Sequence, residues 1–68
     1  MRKVKIIDLL NLVANGKIKN NQFVIIRGEC YIFYVKSFTF DSADGKYFRI
    51  FKTSELNDTC YIINECDN

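Results

Sequence analysis

The stretch Cys30–Phe40, Cys-Tyr-Ile-Phe-Tyr-Val-Lys-Ser-Phe-Thr-Phe, constrains this chain more than any other segment. Aromatic and β-branched side chains follow one another almost without interruption, which is the composition of a strand. Side chains alternate between the two faces of a strand. One face therefore receives Cys30, Ile32, Tyr34, Phe38 and Phe40, and the other Tyr31, Phe33 and Val35. Both faces are apolar. Ile25-Ile26 and Ile62-Ile63 likewise put an isoleucine on each side of a sheet. A sheet of this kind needs cover on both sides, and a chain of 68 residues has little else to cover it with.

One helix is legible. In residues 6–15, Asp8, Asn11 and Asn15 fall within about 60° of one another at helical spacing. Ile6, Ile7, Leu9, Leu10, Val13 and Ala14 fill the opposite arc, with Leu12 on the border. The pattern predicts a helix buried on a wide face, with Leu9, Leu10 and Val13 in the core. Asn15-Gly16 is a stop signal. The start is open: Asp8 could be the N-cap, with Lys3–Ile6 extended. Lys17–Gln22 reads as a polar connector, Phe23–Arg27 as a strand and Gly28-Glu29 as a tight turn. Asp41–Gly45 reads as a turn and Tyr47–Phe51 as a further strand. Thr53–Asn57 reads as a helical turn capped by Thr53 or Ser54, and Cys60–Asn64 as a last strand. The expectation is a single α+β domain over residues 1–68: an N-terminal helix packed on a curled antiparallel sheet of about four strands. A single ten-residue helix, about 15 Å long, covers one side. The other side is closed either by curling into a barrel or by a second copy in a homodimer.

Charge segregates along the chain. Residues 1–36 hold seven Lys/Arg against Asp8 and Glu29. Residues 37–68 hold Lys46, Arg49 and Lys52 against six acids. Such bipolarity can steer a partner or favour self-association. The acidic end, Glu55 to Asp67, could imitate phosphates, although four carboxylates are few for that. The cysteines, Cys30, Cys60 and Cys66, are odd in number and follow no secretory signal: Lys5, Asp8 and Asn11 break the first apolar stretch. The expectation is a cytoplasmic protein with free thiols. No apolar run is long enough to span a membrane.

Chemistry is sparse. With no histidine, nothing at identifiable spacing activates Ser54 or the tyrosines as nucleophiles, so no enzyme activity is expected. Cys60 and Cys66 are six apart with Cys30 distant, which does not suit a metal site. Asp41-x-x-Asp44-Gly45 lacks the alternating ligands and closing glutamate of a calcium loop. No cofactor motif is present. Aromatic and basic side chains alternate along the strands, the kind of surface that binds single-stranded nucleic acid. Tyr47–Phe51 nevertheless lacks the glycines of an RNA-recognition strand, and Asp41 and Asp44 would repel phosphate. The residues expected to carry partner binding are Tyr31, Phe33, Lys36, Phe38, Tyr47 and Arg49.

Ile6-Ile-Asp-Leu-Leu-Asn-Leu-Val-Ala-Asn-Gly16 resembles the opening helix of small uncharacterised proteins of phages and prophages of Gram-positive Firmicutes. Leu56-Asn-Asp-Thr-Cys-Tyr-Ile-Ile63 resembles their closing strand. The middle departs from that pattern: residues 16–21 lack a proline and both hairpin strands are more aromatic. The resemblance implies an α+β fold and an origin in a mobile element. It brings no catalytic or binding residues. Phages carry many tiny proteins that block host machinery, CRISPR and other defence systems included. The resemblance therefore implies a non-enzymatic inhibitor of a host protein. The alternative is a small nucleic-acid-binding regulator.

Overall fold

The helix forms where its periodicity predicts it, as α1 (Ile6–Ala14), in a computed structural model that describes residues 1–63. It has no side-chain cap. It follows directly from a short strand, β1 (Arg2–Lys5). The first free N–H groups instead donate to backbone carbonyls across the fold: Ile6 N–H to Asp58 O at 2.9 Å and Ile7 N–H to Leu56 O at 2.9 Å. Asp8 is thus not the cap, and Lys3–Lys5 is extended. At the other end Gly16, at φ 69°, gives its N–H to Val13 O while Lys17 N–H reaches Leu12 O. These two bonds satisfy the last carbonyls of the helix in a Schellman turn. The turn sends the chain back over the core. Ile18 is thereby buried within the segment expected to be a polar connector.

The remaining strands are β2 (Gln22–Ile26), β3 (Glu29–Tyr34), β4 (Thr39–Ser42) and β5 (Thr59–Ile63), with a 3-10 turn at Thr53–Glu55. The sheet runs β1-β5-β2-β3-β4 with every neighbour antiparallel. It is α+β as expected, with five strands rather than four. The sheet is open, so the barrel alternative is not adopted. Asn64, the expected end of the last strand, lies outside the described residues, as do Glu65, Cys66 and Asp67.

Arg27 and Gly28 form the two-residue turn between β2 and β3, both at positive φ (53° and 77°). That is the type I′ geometry whose twist matches a hairpin. The turn sits one residue earlier than expected. Cys30–Phe40 is not one strand. Val35–Phe38 turn back, with Phe38 at φ 58°, and Phe33 pairs with Phe40. The turn resets the alternation, so Phe40 shares a face with Tyr31 and Phe33 rather than with Ile32 and Tyr34.

Tyr47–Phe51 is also not a regular strand. It lies against β4 through a single Asp41–Phe48 bridge, with Ser42 N–H donating to Tyr47 O and Arg49 N–H to Phe40 O.

The inner face of the sheet carries Val24, Ile26, Tyr31, Phe33, Phe40, Cys60 and Ile62. It closes the core with Ile6, Leu9, Val13 and Ile18. Leu10 is only partly buried, at the margin of that cluster.

Candidate interaction surfaces

Two surfaces remain once the core is made. The first is the outer face of the sheet. By strand register it carries Tyr61, Ile25 and Cys30 in one row, with Lys3 at the end. The next row runs Ile63, Phe23, Ile32, Asp41 and Phe48. Tyr34 and Thr39 follow. Among the described residues no helix lies over them. Most are half-buried by one another, and Phe23 is exposed.

The second surface is a cleft of about 280 Å³ at the β4 edge. Leu10, Phe38, Phe40, Phe48, Ile50 and Phe51 supply its apolar walls. Phe38, Phe48 and Ile50 are 64%, 58% and 70% exposed. Three large apolar side chains in water around one opening are not needed for the core. Phe38 also holds a left-handed backbone, which costs a bulky residue about 1–2 kcal/mol. Its ring meets Phe33 edge-on, with centroids 5.9 Å apart.

The six residues expected to bind a partner divide between core and surface. Tyr31 and Phe33 are buried, and their rings are part of the core. Lys36 and Phe38 sit on the exposed β3–β4 turn. Tyr47 is half-exposed, with its ring edge-on to Tyr31 at 6.2 Å. Arg49 is turned inward: it pairs with Glu55 and lies 5.4 Å over the Phe51 ring. Phe38 and Arg49 meet at the cleft, whereas Tyr31, Phe33, Lys36 and Tyr47 do not line it. Phe48 and Ile50 were missed. Within a run that reads as a strand, they are the residues facing away from Tyr47 and Arg49.

Two polar clusters brace these surfaces. Glu29 accepts from Tyr31 Oη at 2.8 Å and from Tyr47 Oη at 2.9 Å. These bonds hold its carboxyl below the usual range. Burial, then the Glu29 bond, pushes the Tyr31 phenol up. The second cluster centres on Glu55, which is buried. It accepts Lys52 N–H at 3.0 Å and a bond from Arg49, with Arg27 at 4.0 Å. The Lys52 bond is the main reason its carboxyl lies below the ordinary value near 4.5, and Arg49 adds to it. Arg27 also pairs with Asp58 at 2.9 Å. Asp44 is taken up by its own turn, accepting from Ser42 Oγ and Lys46 N–H, and its carboxyl is lowered by both.

A pH dependence follows. Glu29, Glu55 and Asp44 are held as carboxylates more firmly in the folded chain than in the unfolded one. Their contribution is intact above the ordinary values, near 4.5 for Glu and 3.8 for Asp, and is lost as pH falls through the lowered folded values. Tyr31 and Cys60 act oppositely. Burial, then the charge of Asp8, pushes the Cys60 thiol up to about 11 from 9.0, so stability declines as pH rises above 9. Urea midpoints should be level between pH 5 and 8 and fall on both sides. Glu55→Gln should flatten the acid limb, whatever it does to the midpoint at neutral pH. An acid limb of unchanged steepness would contradict the assignment.

Cys30 is half-buried and Cys60 fully buried, both as free thiols. Among the described residues no helix is long and apolar enough to cross a membrane. No family model, curated protein or solved structure matches the chain.

Proposed function

We propose that this is a non-enzymatic protein of a mobile element that binds and inhibits a host protein in the host cytoplasm. A defence system such as CRISPR is the kind of target its sequence resemblance implies. The observation that carries the reading is the ring of Phe38, Phe48 and Ile50 around the β4-edge cleft. Exposed apolar side chains grouped at one opening fit a protein partner better than a polar ligand. Phe38 adds weight, because its backbone pays strain for an exposed position. Arg49, packed on Phe51 and neutralised by Glu55, fixes one wall of the same opening.

The second reading, a small nucleic-acid-binding regulator, has one observation in its favour. Phe23, Tyr34 and Tyr61 lie on the outer sheet face, with Lys3 at its margin. Against it, the Tyr31 and Phe33 rings are buried, and Arg27 and Arg49 are engaged with carboxylates.

Nuclease-treated co-purification from a Gram-positive host lysate tests the choice. The tagged protein should retain one stoichiometric protein partner. Phe38→Gly and the double variant Phe48→Ser, Ile50→Ser should lose it. Phe38→Gly gives up a ring contact of about 0.5–1.5 kcal/mol and relieves backbone strain of similar size, so its stability should stay within about 1 kcal/mol of wild type. Recovery of nucleic acid, with binding lost at moderate salt, would favour the second reading. A protein partner indifferent to all three substitutions would move the site away from the cleft.

A further inference from the structure

We infer that the outer face of the sheet is the interface of a two-fold homodimer. The occupant is a second copy of this chain, and the inference does not depend on the identity of any host partner. The face is self-complementary about a two-fold axis. Consider a two-fold axis parallel to the strands, lying between two such faces. It keeps strand direction and reverses strand order. With the order β1-β5-β2-β3-β4, β1 then meets the partner's β4, β5 meets the partner's β3, and β2 meets its own copy.

Charge fits this arrangement. Lys3 lies at the β1 margin of the outer face and Asp41 at the β4 margin. Neither has an ion-pair partner among the described residues. The axis brings each Lys3 toward the partner's Asp41, one residue pair away along the strands, which a lysine stem can span. Two equal pairs then frame an apolar centre. Phe23 and Ile25 on β2 lie nearest the axis, and Tyr61 and Ile63 oppose the partner's Cys30 and Ile32. A face-to-face pair with strands nearly aligned is the usual packing of two twisted sheets.

Size sets the expected strength. Five strands about 4.8 Å apart and about 17 Å long present roughly 400 Å² per protomer in projection. Two faces, with side-chain relief added, approach the roughly 1,200 Å² at which specific interfaces begin. An interface at the low end of that range fits a weak dimer in the micromolar range rather than an obligate one.

A charge swap distinguishes a second copy from any other occupant. Light scattering over a concentration series gives the dissociation constant of each variant. Lys3→Asp alone and Asp41→Lys alone should each weaken the dimer roughly tenfold, because both pairs turn repulsive at once. The double variant, Lys3→Asp with Asp41→Lys, should return to within about twofold of wild type, because the pairs are restored with reversed sign. Phe23→Lys should leave a folded monomer, since it sets two lysines beside the axis. Lys3 and Asp41 lie at the margin of the sheet, so the swap stays informative even if Phe23→Lys unfolds the chain. A dimer unaffected by either single charge reversal, or one the double variant fails to restore, overturns this interface. So does a monomer whose outer-face residues respond instead to a single-stranded oligonucleotide.

Discussion

Replacing Phe33 with alanine should cost about 3–5 kcal/mol, a large part of the stability available to so small a domain. Phe33 is 2% exposed at the centre of the inner face. Its ring packs on Phe40 at 4.9 Å between centroids and on Phe38 at 5.9 Å. Truncation removes the transfer free energy of a whole ring and leaves a cavity. Neither neighbour can readily fill that cavity, because Phe40 is fixed by its β-ladder and Phe38 by its turn. Phe33→Leu keeps most of the volume and should cost well under half as much. Urea unfolding followed by circular dichroism reads both. A Phe33→Ala midpoint equal to wild type would take this ring out of the core.

Leu9→Ala should cost about 2–5 kcal/mol, and Leu10→Ala clearly less. The two leucines are neighbours of the same type on one helix, so helix propensity cancels in the comparison. What differs is burial: Leu9 is fully enclosed against the sheet, whereas Leu10 is partly open and lines the β4-edge cleft. The sequence reading placed both in the core because both fall in the apolar arc of the helical wheel. The sheet lies to one side of that arc, and Leu10 is at its margin. Equal losses from the two substitutions would contradict this placement.

The parts of the fold that were legible are those specified locally. Helix α1 shows its period in Ile6, Leu9 and Val13, and its end at Gly16. The β2–β3 hairpin shows its turn at Gly28. The parts that were not legible depend on distant partners or lack a chemical marker. Strand β1 is Arg-Lys-Val-Lys, a charged segment with no strand signature, and it is a strand because β5 pairs with it across most of the chain. Those charges also suit an edge that must not recruit another strand. The turn at Val35–Phe38 carries no Gly or Asn at its left-handed position, so Cys30–Phe40 reads as continuous. Tyr47–Phe51 has strand composition, but among the described residues only two backbone bonds join it to β4.

The candidate surfaces were half visible for the same reason. Two apolar sides to the aromatic segment correctly indicated that one side would lack cover from the helix. The missed turn moved Phe40 to the inner face beside Tyr31 and Phe33, which are buried there, while Phe23, Phe48 and Ile50 stay outside. The aromatic side chains that look most suited to binding are the ones the core needs. Those left over are read from register rather than from composition.

In the dimer proposed above, the sheet gives one face to its own core and the other to a second copy of the chain. Sedimentation equilibrium of the unaltered protein, from low micromolar to near-millimolar concentration, tests it most directly. A two-fold dimer requires a mass that rises from 8.0 kDa toward twice that value within this range. A mass that stays at 8.0 kDa throughout would contradict it.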